Sequence, residues 1–310
     1  MLFDTLQNFL ASSSKKPKIV VVTGPTASGK TAAAVELALK FKGEVINADS
    51  RQMYKYLNIG TAKPTLEEMR GIPHHLFDFL EPEAESNVAI WRPLAEQKIA
   101  EILARGNLPI ICGGTGLFIN ALTKNFTLPA IPPQLELRTE LEKEVPSALW
   151  EKLQKIDPLA AAKLDPKNTR FVIRALEIAM VTGENKSALA QAKESPYESL
   201  LIALTLERTA LYKKIALRSA QMKAQGFLKE VQNLMAQNIS LASPAMLSHG
   251  YREAVSFLQG EISEEQFWEI LQKNTRNYAK RQLTWWRRDA RIQWFHGNSY
   301  EKIDIRNSMF

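Results

Sequence analysis

Residues 18–31 read KIVVVTGPTASGKT, and this stretch carries the strongest structural signal in the chain. Its first six residues are mostly apolar and β-branched, which is typical of a strand buried on both faces of a parallel sheet. The next eight match the pattern G-x-x-x-x-G-K-[ST], and a helix is predicted directly after them, over 29–41. A phosphate-binding loop (P-loop) between a buried strand and a helix indicates an α/β protein with a P-loop NTPase-like parallel sheet.

This P-loop has the residues needed to hold a pyrophosphate group. Backbone amides and the N-terminus of the following helix would surround the phosphates, and Lys30 would bridge their oxygens. The hydroxyl of Thr31 would coordinate Mg²⁺. The motif identifies the pyrophosphate group and leaves the rest of the ligand open. The predicted diphosphate- or nucleotide-binding residues are Gly24, Pro25, Thr26, Ala27, Ser28, Gly29, Lys30 and Thr31.

Further strands and helices follow along the chain. Apolar runs predict strands at 44–48, 108–112 and 200–206. Helices are predicted at 91–105, 208–226, 227–236, 251–260 and 263–289. Between 126 and 196 the strand pattern is absent, and helical segments separated by Pro, Asp and Gly take over. We therefore predict a parallel-sheet core domain, 1–125 and 197–310, interrupted by a mainly helical insertion domain, 126–196.

The composition excludes several classes of protein. Of 310 residues, 45% are apolar and 24% are charged, which is typical of a globular chain and not of a disordered one. The single cysteine, Cys112, excludes an internal disulfide and a cysteine-rich zinc site. No apolar run approaches the ~20 residues of a membrane span, and no basic flank marks a secretory signal. We expect a soluble, cytoplasmic monomer in which residues 1–12 form an adjustable extension.

One segment carries most of the positive charge. The net charge is +7, and residues 273–291 alone hold seven basic residues against one acid. The basic residues are Lys273, Arg276, Lys280, Arg281, Arg287, Arg288 and Arg291. A solvated helix face and a surface that binds a polyanion both explain this pattern. The interleaved Tyr278, Trp285 and Trp286 could stack on bases or belong to the core.

Asp49 is the candidate for acid–base chemistry. It follows the strand predicted at 44–48, and ligands meet a parallel sheet at the carboxyl ends of its strands. Capping of the next turn is the alternative role. The strand at 108–112 runs into Gly-Gly-Thr, without the Asp that helps to hold Mg²⁺ in NTP-hydrolysing enzymes of this class. Steady ATP hydrolysis is therefore disfavoured.

Arginines on two predicted helices are candidates for binding anions. Arg218 shares a helical stripe with apolar residues, namely Leu211, Ile215 and Met222. A bound diphosphate and a buried ion pair are both possible partners for an arginine that points inward. On the helix predicted over 168–183, Arg170, Arg174 and Glu177 share a face that we expect to point outward, opposite Val172, Leu176 and Ala179. That face is a candidate RNA contact or an exposed salt-bridged surface.

Taken together, the motifs resemble those of the bacterial tRNA dimethylallyltransferase family. They are Gly24-Pro-Thr-Ala-Ser-Gly-Lys-Thr31, Asp49-Ser-Arg-Gln52 with Met53-Tyr54, Gly60-Thr-Ala-Lys-Pro64, Pro73-His-His75, Gly113-Gly-Thr-Gly116, Arg174-Ala-Leu-Glu177, Gly250-Tyr-Arg-Glu253 and Arg281-Gln-Leu-Thr-Trp285. They run in family order over nearly the whole chain. The chain departs from the family pattern at Phe171 and Glu136, where many relatives carry arginine.

The resemblance implies an activity and its partners. The family transfers a dimethylallyl group from dimethylallyl diphosphate to the exocyclic amine of adenine at position 37 of tRNAs that read codons beginning with uridine, with Mg²⁺. It implies Asp49 as the base, Arg218, Thr26 and Lys30 as further catalytic residues, and a helical insertion that grips the anticodon stem-loop. Thr115 is expected to guide the channel where base and donor meet. The implied tRNA-binding residues are Asp49, Ser50, Arg51, Gln52, Thr115, Arg138, Arg170, Arg174, Arg252, Arg276, Lys280 and Arg281.

Two other functions use the same P-loop. One is a kinase of nucleosides or small metabolites, in which Asp49 would bind the acceptor hydroxyl. The other is an RNA-binding protein that uses a nucleotide as a switch. The helical insertion, the basic segment and the missing Mg²⁺-holding Asp argue against the kinase. Neither His74 nor His75 is assigned to a metal site, and we expect both to support the crevice through hydrogen bonds.

Overall fold

The computed structural model describes residues 1–125, 131, 134–183 and 194–303. The strands are β1 (Lys18–Thr23), β2 (Gly43–Asn47), β3 (His74–His75), β4 (Leu108–Cys112), β5 (Glu198–Thr205) and β6 (Gln293–His296). The helices are α1 (Leu2–Ala11), α2 (Lys30–Phe41), α3 (Leu66–Met69), α4 (Val88–Ala104), α5 (Gly116–Thr123), α6 (Leu135–Glu142), α7 (Pro146–Ile156), α8 (Pro158–Ala161), α9 (Thr169–Thr182), α10 (Arg208–Ala224), α11 (Phe227–Ala236), α12 (Tyr251–Leu258) and α13 (Glu264–Trp286).

The strands form one parallel sheet in the order β3-β2-β4-β1-β5-β6. β1 lies near the centre, with Val20 beside Ile110 of β4 and Leu200 of β5. Its residues 19–22 have no exposed surface, which explains the unbroken apolar run. Because the strands are parallel, the P-loop after β1, Asp49 after β2 and the glycines after β4 leave the sheet at the same edge. The predicted α/β fold with a parallel-sheet core is confirmed.

β3 and β6 are the strands that the sequence analysis does not predict. β3 has two residues and pairs with β2, and β6 has four and pairs with β5, where Trp294 lies beside Ala203. Segments this short show no periodicity from which a strand could be predicted. Their neighbours in the sheet, rather than their own pattern, make them strands.

The expectation of an adjustable N-terminal extension is wrong. These residues form α1, whose Leu2 and Leu6 are fully buried in the cluster that also holds β1 and α2. The Nζ of Lys18 donates to the carbonyls of Phe9 and Leu10, at 2.7 and 3.0 Å, and so satisfies the C-terminal end of the helix. α1 is therefore part of the core.

The chain divides into two compact units. The first consists of residues 1–119 and those from 196 onward, and it contains the sheet. The second, residues 120–195, contains α6 to α9. Its own core includes Leu149 and Leu153 of α7. Within the described ranges, no helix combines the length and apolar character that a membrane crossing demands.

The prediction that one face of α9 points outward is wrong for Glu177, whereas Arg174 is half-buried. Glu177 is fully buried and accepts a hydrogen bond from the backbone amide of Gln134 at 2.6 Å. Its carboxylate also forms ion pairs with Arg138 and Arg174, at 2.9 and 2.5 Å. Burial alone would raise the pKa of Glu177, but the hydrogen bonds from the two arginines lower it below its ordinary value. Arg170 is exposed, as predicted. Two of the candidate RNA-binding arginines thus hold the second unit together.

Candidate active site

A cleft of about 830 Å³ lies at the carboxyl edge of the sheet. It is lined by the P-loop, by the segment after β2 with Asp49 and Gln52, by residues 58–65 except Gly60, and by α10 with Arg218. The structure therefore brings together the four predicted catalytic residues, which are Thr26, Lys30, Asp49 and Arg218. Of the predicted P-loop residues, the lining includes Thr26, Ala27, Gly29, Lys30 and Thr31.

Lys30 begins α2 and directs its ammonium group back over the loop. Its Nζ donates to the carbonyl of Pro25 at 2.8 Å. The pKa of Lys30 is lowered to about 8, mainly by burial and to a smaller extent by the charge of Arg218, whereas Cys112 and Asp49 oppose the fall. A lysine with a lowered pKa gains its full charge when an anion enters beside it. The loop therefore favours a phosphate ligand.

Arg218 joins the P-loop to the opposite wall of the cleft. One guanidinium nitrogen donates to the hydroxyl of Thr26 at 3.1 Å and another to the carbonyl of Thr61 at 3.3 Å. Burial lowers the pKa of Arg218, and the negative charge of Asp49 opposes that effect. In the described part of the chain no carboxylate lies within ion-pair distance of this guanidinium. Of the two partners that the sequence leaves open, the buried ion pair is not found among the described residues, and Arg218 lines the cleft instead.

Gln282 is a site residue that the sequence analysis does not single out. It lies on α13, and its side-chain oxygen accepts from the amide of Thr26 at 2.8 Å while its nitrogen donates to the carbonyl of Gly114 at 3.2 Å. It is buried between Ala279 and Trp286 on the inner face of the helix. The sequence could have indicated Gln282, because a polar residue on an apolar helical stripe must find hydrogen-bond partners in the interior.

Asp49 both caps a turn and lines the cleft. One carboxylate oxygen accepts from the amide of Arg51 at 2.9 Å, and the Asp49 amide donates to the side chain of Asn47 at 2.8 Å. The carbonyl of Asn47 in turn accepts from the indole of Trp91 at 2.7 Å. These bonds hold the carboxylate in place at the end of β2. The capping role and the cleft position therefore occur together.

The turn after β4 braces the segment that follows Asp49. The hydroxyl of Thr115 accepts from the amide of Ser50 at 3.0 Å, and the Thr115 amide donates to the carbonyl of Ala48 at 3.1 Å. Gly113 makes this approach possible, since a Cβ there would lie 2.2 Å from the carbonyl carbon of Ala48. Thr115 does not line the cleft, and its hydrogen bonds hold the segment on either side of Asp49.

Two of the predicted tRNA-binding residues near Asp49 make internal contacts. The side-chain amide of Gln52 donates to the carbonyls of Thr61 and Ala62, at 3.1 and 3.0 Å. One guanidinium nitrogen of Arg51 donates to the carbonyl of Pro244 at 3.1 Å, although the residue is exposed. Gln52 thus fixes the cleft wall, and Arg51 lies at the surface beside it.

The basic segment lies mainly on α13. Lys280 and Arg281 are exposed, as are Arg252 of α12 and, at 43%, Trp285. Arg276 is half-buried and lies over the ring of a neighbouring tyrosine on α10, 5.7 Å from its centroid. Trp286 is fully buried, so its predicted alternative role in the core is the correct one.

Thr31 is the residue predicted to coordinate a divalent metal ion. Among the described residues, no three His, Cys, Asp or Glu side chains are grouped closely enough to hold one. Thr31 lines the cleft at the end of the P-loop, where its hydroxyl could coordinate an ion together with phosphate oxygens.

His74 and His75 both form hydrogen bonds within the protein, as expected. Nδ1 of His74 lies 2.8 Å from the carbonyl of Ile72, and Nε2 of His75 lies 2.6 Å from the carboxylate of Glu44.

Comparison with known proteins places these motifs in a family. A family model described as IPP transferase matches residues 52–289, and one described as isopentenyl transferase matches residues 17–78. A tRNA dimethylallyltransferase of Thermomicrobium roseum is 45% identical over 286 residues, which cover 91% of this chain and 87% of the relative. The enzyme of the same name from Pelotomaculum thermopropionicum is 45% identical over 290 residues, with 92% of each chain covered.

Solved structures agree with the sequence matches. The full-length tRNA isopentenylpyrophosphate transferase of Bacillus halodurans is similar with a TM-score of 0.70 and 42% identity, over 94% of this chain and 92% of that one. A eukaryotic dimethylallyltransferase acting on tRNA gives a TM-score of 0.78 at 28% identity, over 91% of this chain and 74% of that one. With a matching model over more than half of its length and relatives matched almost end to end, the chain belongs to the IPP transferase family.

Proposed function

We propose that this protein transfers the dimethylallyl group of dimethylallyl diphosphate to the exocyclic amine of adenine at position 37 of tRNA, next to the anticodon, and releases diphosphate. The acceptors are tRNAs that read codons beginning with uridine. The observation that carries the proposal is that the carboxylate of Asp49 lies in the same cleft as two cationic groups suited to bind an anion, Lys30 of the P-loop and Arg218 of α10. The relatives are named tRNA dimethylallyltransferase, which supports a dimethylallyl donor and a tRNA acceptor.

The P-loop and Arg218 would bind the leaving group. As the carbon–oxygen bond of the donor loosens, positive charge spreads over the allyl unit and negative charge builds on the diphosphate. Lys30, the loop amides and the Arg218 guanidinium lie where they would stabilise that charge. Removal of one such donor typically costs about 10²–10³-fold in rate.

A divalent ion, Mg²⁺ in this proposal, would be held by the hydroxyl of Thr31 together with diphosphate oxygens and water. When bound, it would neutralise part of the charge on the leaving diphosphate.

Asp49 would accept the proton of the attacking amine. The lone pair of an aromatic exocyclic amine is delocalised into the ring, so the amine is a poor nucleophile and its proton must be removed during or after attack. A positioned base typically contributes about 10²–10⁴-fold. The turn formed with Asn47 and the amide of Arg51 holds the carboxylate in one orientation for this role.

The RNA would be bound by the exposed basic residues. Lys280 and Arg281 of α13 and Arg252 of α12 are available to contact phosphates. We further propose that the helical unit contacts the anticodon stem-loop, with the exposed Arg170 among its contacts. Adenine 37 would be extruded from its stack to meet the donor. We further propose that the protein acts as a monomer.

The test is to incubate the purified protein with Mg²⁺, labelled dimethylallyl diphosphate and unmodified tRNA, with ATP and a small acceptor in a parallel reaction. Nuclease digestion and mass spectrometry then locate the label. We expect label on the adenine beside the anticodon and about 10²–10⁴-fold slower labelling after Asp49→Ala. Phosphate transfer from ATP without label on RNA would instead establish the kinase alternative.

A further inference from the structure

A carboxylate behind the cleft organises one of its walls. Glu230 lies on α11 and is not part of the cleft lining. One of its oxygens accepts from the amides of Asn58 and Ile59, at 3.0 and 2.8 Å, and the other accepts from the amide of Gly60 at 3.2 Å. Three successive backbone amides thus converge on a single side chain. Such hydrogen bonds to a charged acceptor are stronger than those between neutral groups.

Tyr251 completes this cluster from α12. Its hydroxyl donates to Glu230 at 2.6 Å, and the side chain is fully buried. Burial raises the pKa of Tyr251, so the phenol keeps its proton. The loop is also packed tightly here, because a Cβ at Gly60 would lie 2.3 Å from the ring of Phe227 and 2.6 Å from that of Tyr251. The backbone at 58–60 is therefore held both by hydrogen bonds and by the two rings.

The next residue of the same loop faces the cleft. The carbonyl of Thr61 accepts from Arg218 at 3.3 Å and from Gln52 at 3.1 Å. The other end of the Arg218 fork donates to the hydroxyl of Thr26 in the P-loop. Because the guanidinium is planar and rigid, the Thr61 carbonyl sets the direction in which its remaining N–H groups point. The position of that carbonyl depends in turn on the three residues anchored just before it.

We propose that Glu230 is a positioning residue for the diphosphate site. With Tyr251, it anchors residues 58–60 and thereby places the Thr61 carbonyl that keeps Arg218 directed at the P-loop. The inference rests on the proposed function only for the identity of the anion, and its test does not require prenyl transfer. It assigns to a group outside the cleft an effect on the affinity for diphosphate.

The test is a double-mutant cycle read by the affinity for inorganic diphosphate, measured by calorimetry with the full chain and Mg²⁺. Glu230→Gln places a donor amide against backbone donors, and Tyr251→Phe removes only the phenol hydrogen bond. We expect each to weaken diphosphate binding, Glu230→Gln by about tenfold. In an Arg218→Ala background, Glu230→Gln should weaken binding by less than about twofold, because its effect passes through that arginine.

A matched control separates positioning from general stability. Glu44→Gln makes the same chemical change at a carboxylate held by Arg105, Asn107 and His75, none of which lines the cleft. We expect it to lower the melting temperature without changing diphosphate affinity. The proposal is overturned if Glu230→Gln and Tyr251→Phe lower only the melting temperature, or if Glu230→Gln weakens binding equally with and without Arg218. If the cycle behaves as expected but the wild-type protein prenylates no tRNA, the positioning role stands and the proposed function fails.

Discussion

The lowered pKa of Lys30 makes diphosphate binding depend on pH in a defined direction. Binding of the anion requires the protonated amine, whose pKa in the free protein is about 8. The amine is then about 90% protonated at pH 7 and about 9% at pH 9, so the apparent dissociation constant should rise about tenfold between them. Below pH 7 this group adds no further dependence. The loss with rising pH has the sign expected of a lysine that burial pushes toward its neutral form.

Cys112 and Arg218, which lie near Lys30, do not change charge over the pH range of this measurement. Burial raises the pKa of Cys112 to about 12, so the thiol stays neutral over the range, and Arg218 stays charged. The assay is calorimetric titration with inorganic diphosphate in wild-type protein and in Lys30→Arg, whose guanidinium does not titrate. Ionisation of the ligand affects both proteins and cancels in their ratio. Parallel pH profiles for the two proteins would refute the reasoning.

Four further substitutions test the site and the helical unit. Asp49→Ala should reduce prenyl transfer by about 10²–10⁴-fold while diphosphate binding stays the same or tightens, and lost diphosphate binding would contradict its role as a base. Gln282→Met keeps the size of the side chain but removes both of its hydrogen bonds. We therefore expect the KM for the donor to rise, with only a small fall in the melting temperature. An unchanged KM would show that the P-loop holds its shape without it. Glu177→Gln should lower the stability by about 1–3 kcal/mol in a denaturant titration. Arg170→Ala should leave the stability unchanged and weaken tRNA binding, and the reverse pattern would contradict the assignment of structural and RNA-facing residues.

The sequence was sufficient where the signal is local. The run before the P-loop, the loop itself and Asp49 at the next strand end each have a pattern contained within a few neighbouring residues. Arg218 was found because an arginine on an apolar helical stripe needs an anionic or polar partner. The parallel sheet followed from the alternation of strands and helices.

Contacts between distant parts of the chain could not be predicted in this way. Gln282 and Thr26 are 256 positions apart, and Glu230 is 171 positions from Ile59, so no local pattern links either pair. Glu177 was expected on an exposed face, but packing of the helical unit buries it and supplies its arginine partners.

Local propensity and periodicity therefore determine the longer elements, because both depend on neighbours along the chain, whereas the short strands β3 and β6 form only where the sheet supplies their partners. Which polar groups become partners depends on how those elements pack, since a buried polar group must be satisfied by whatever the fold brings within reach. In this protein, the sequence alone predicts the P-loop and the residues proposed for the chemistry, and the packing of α11, α12 and α13 determines which groups hold them in place.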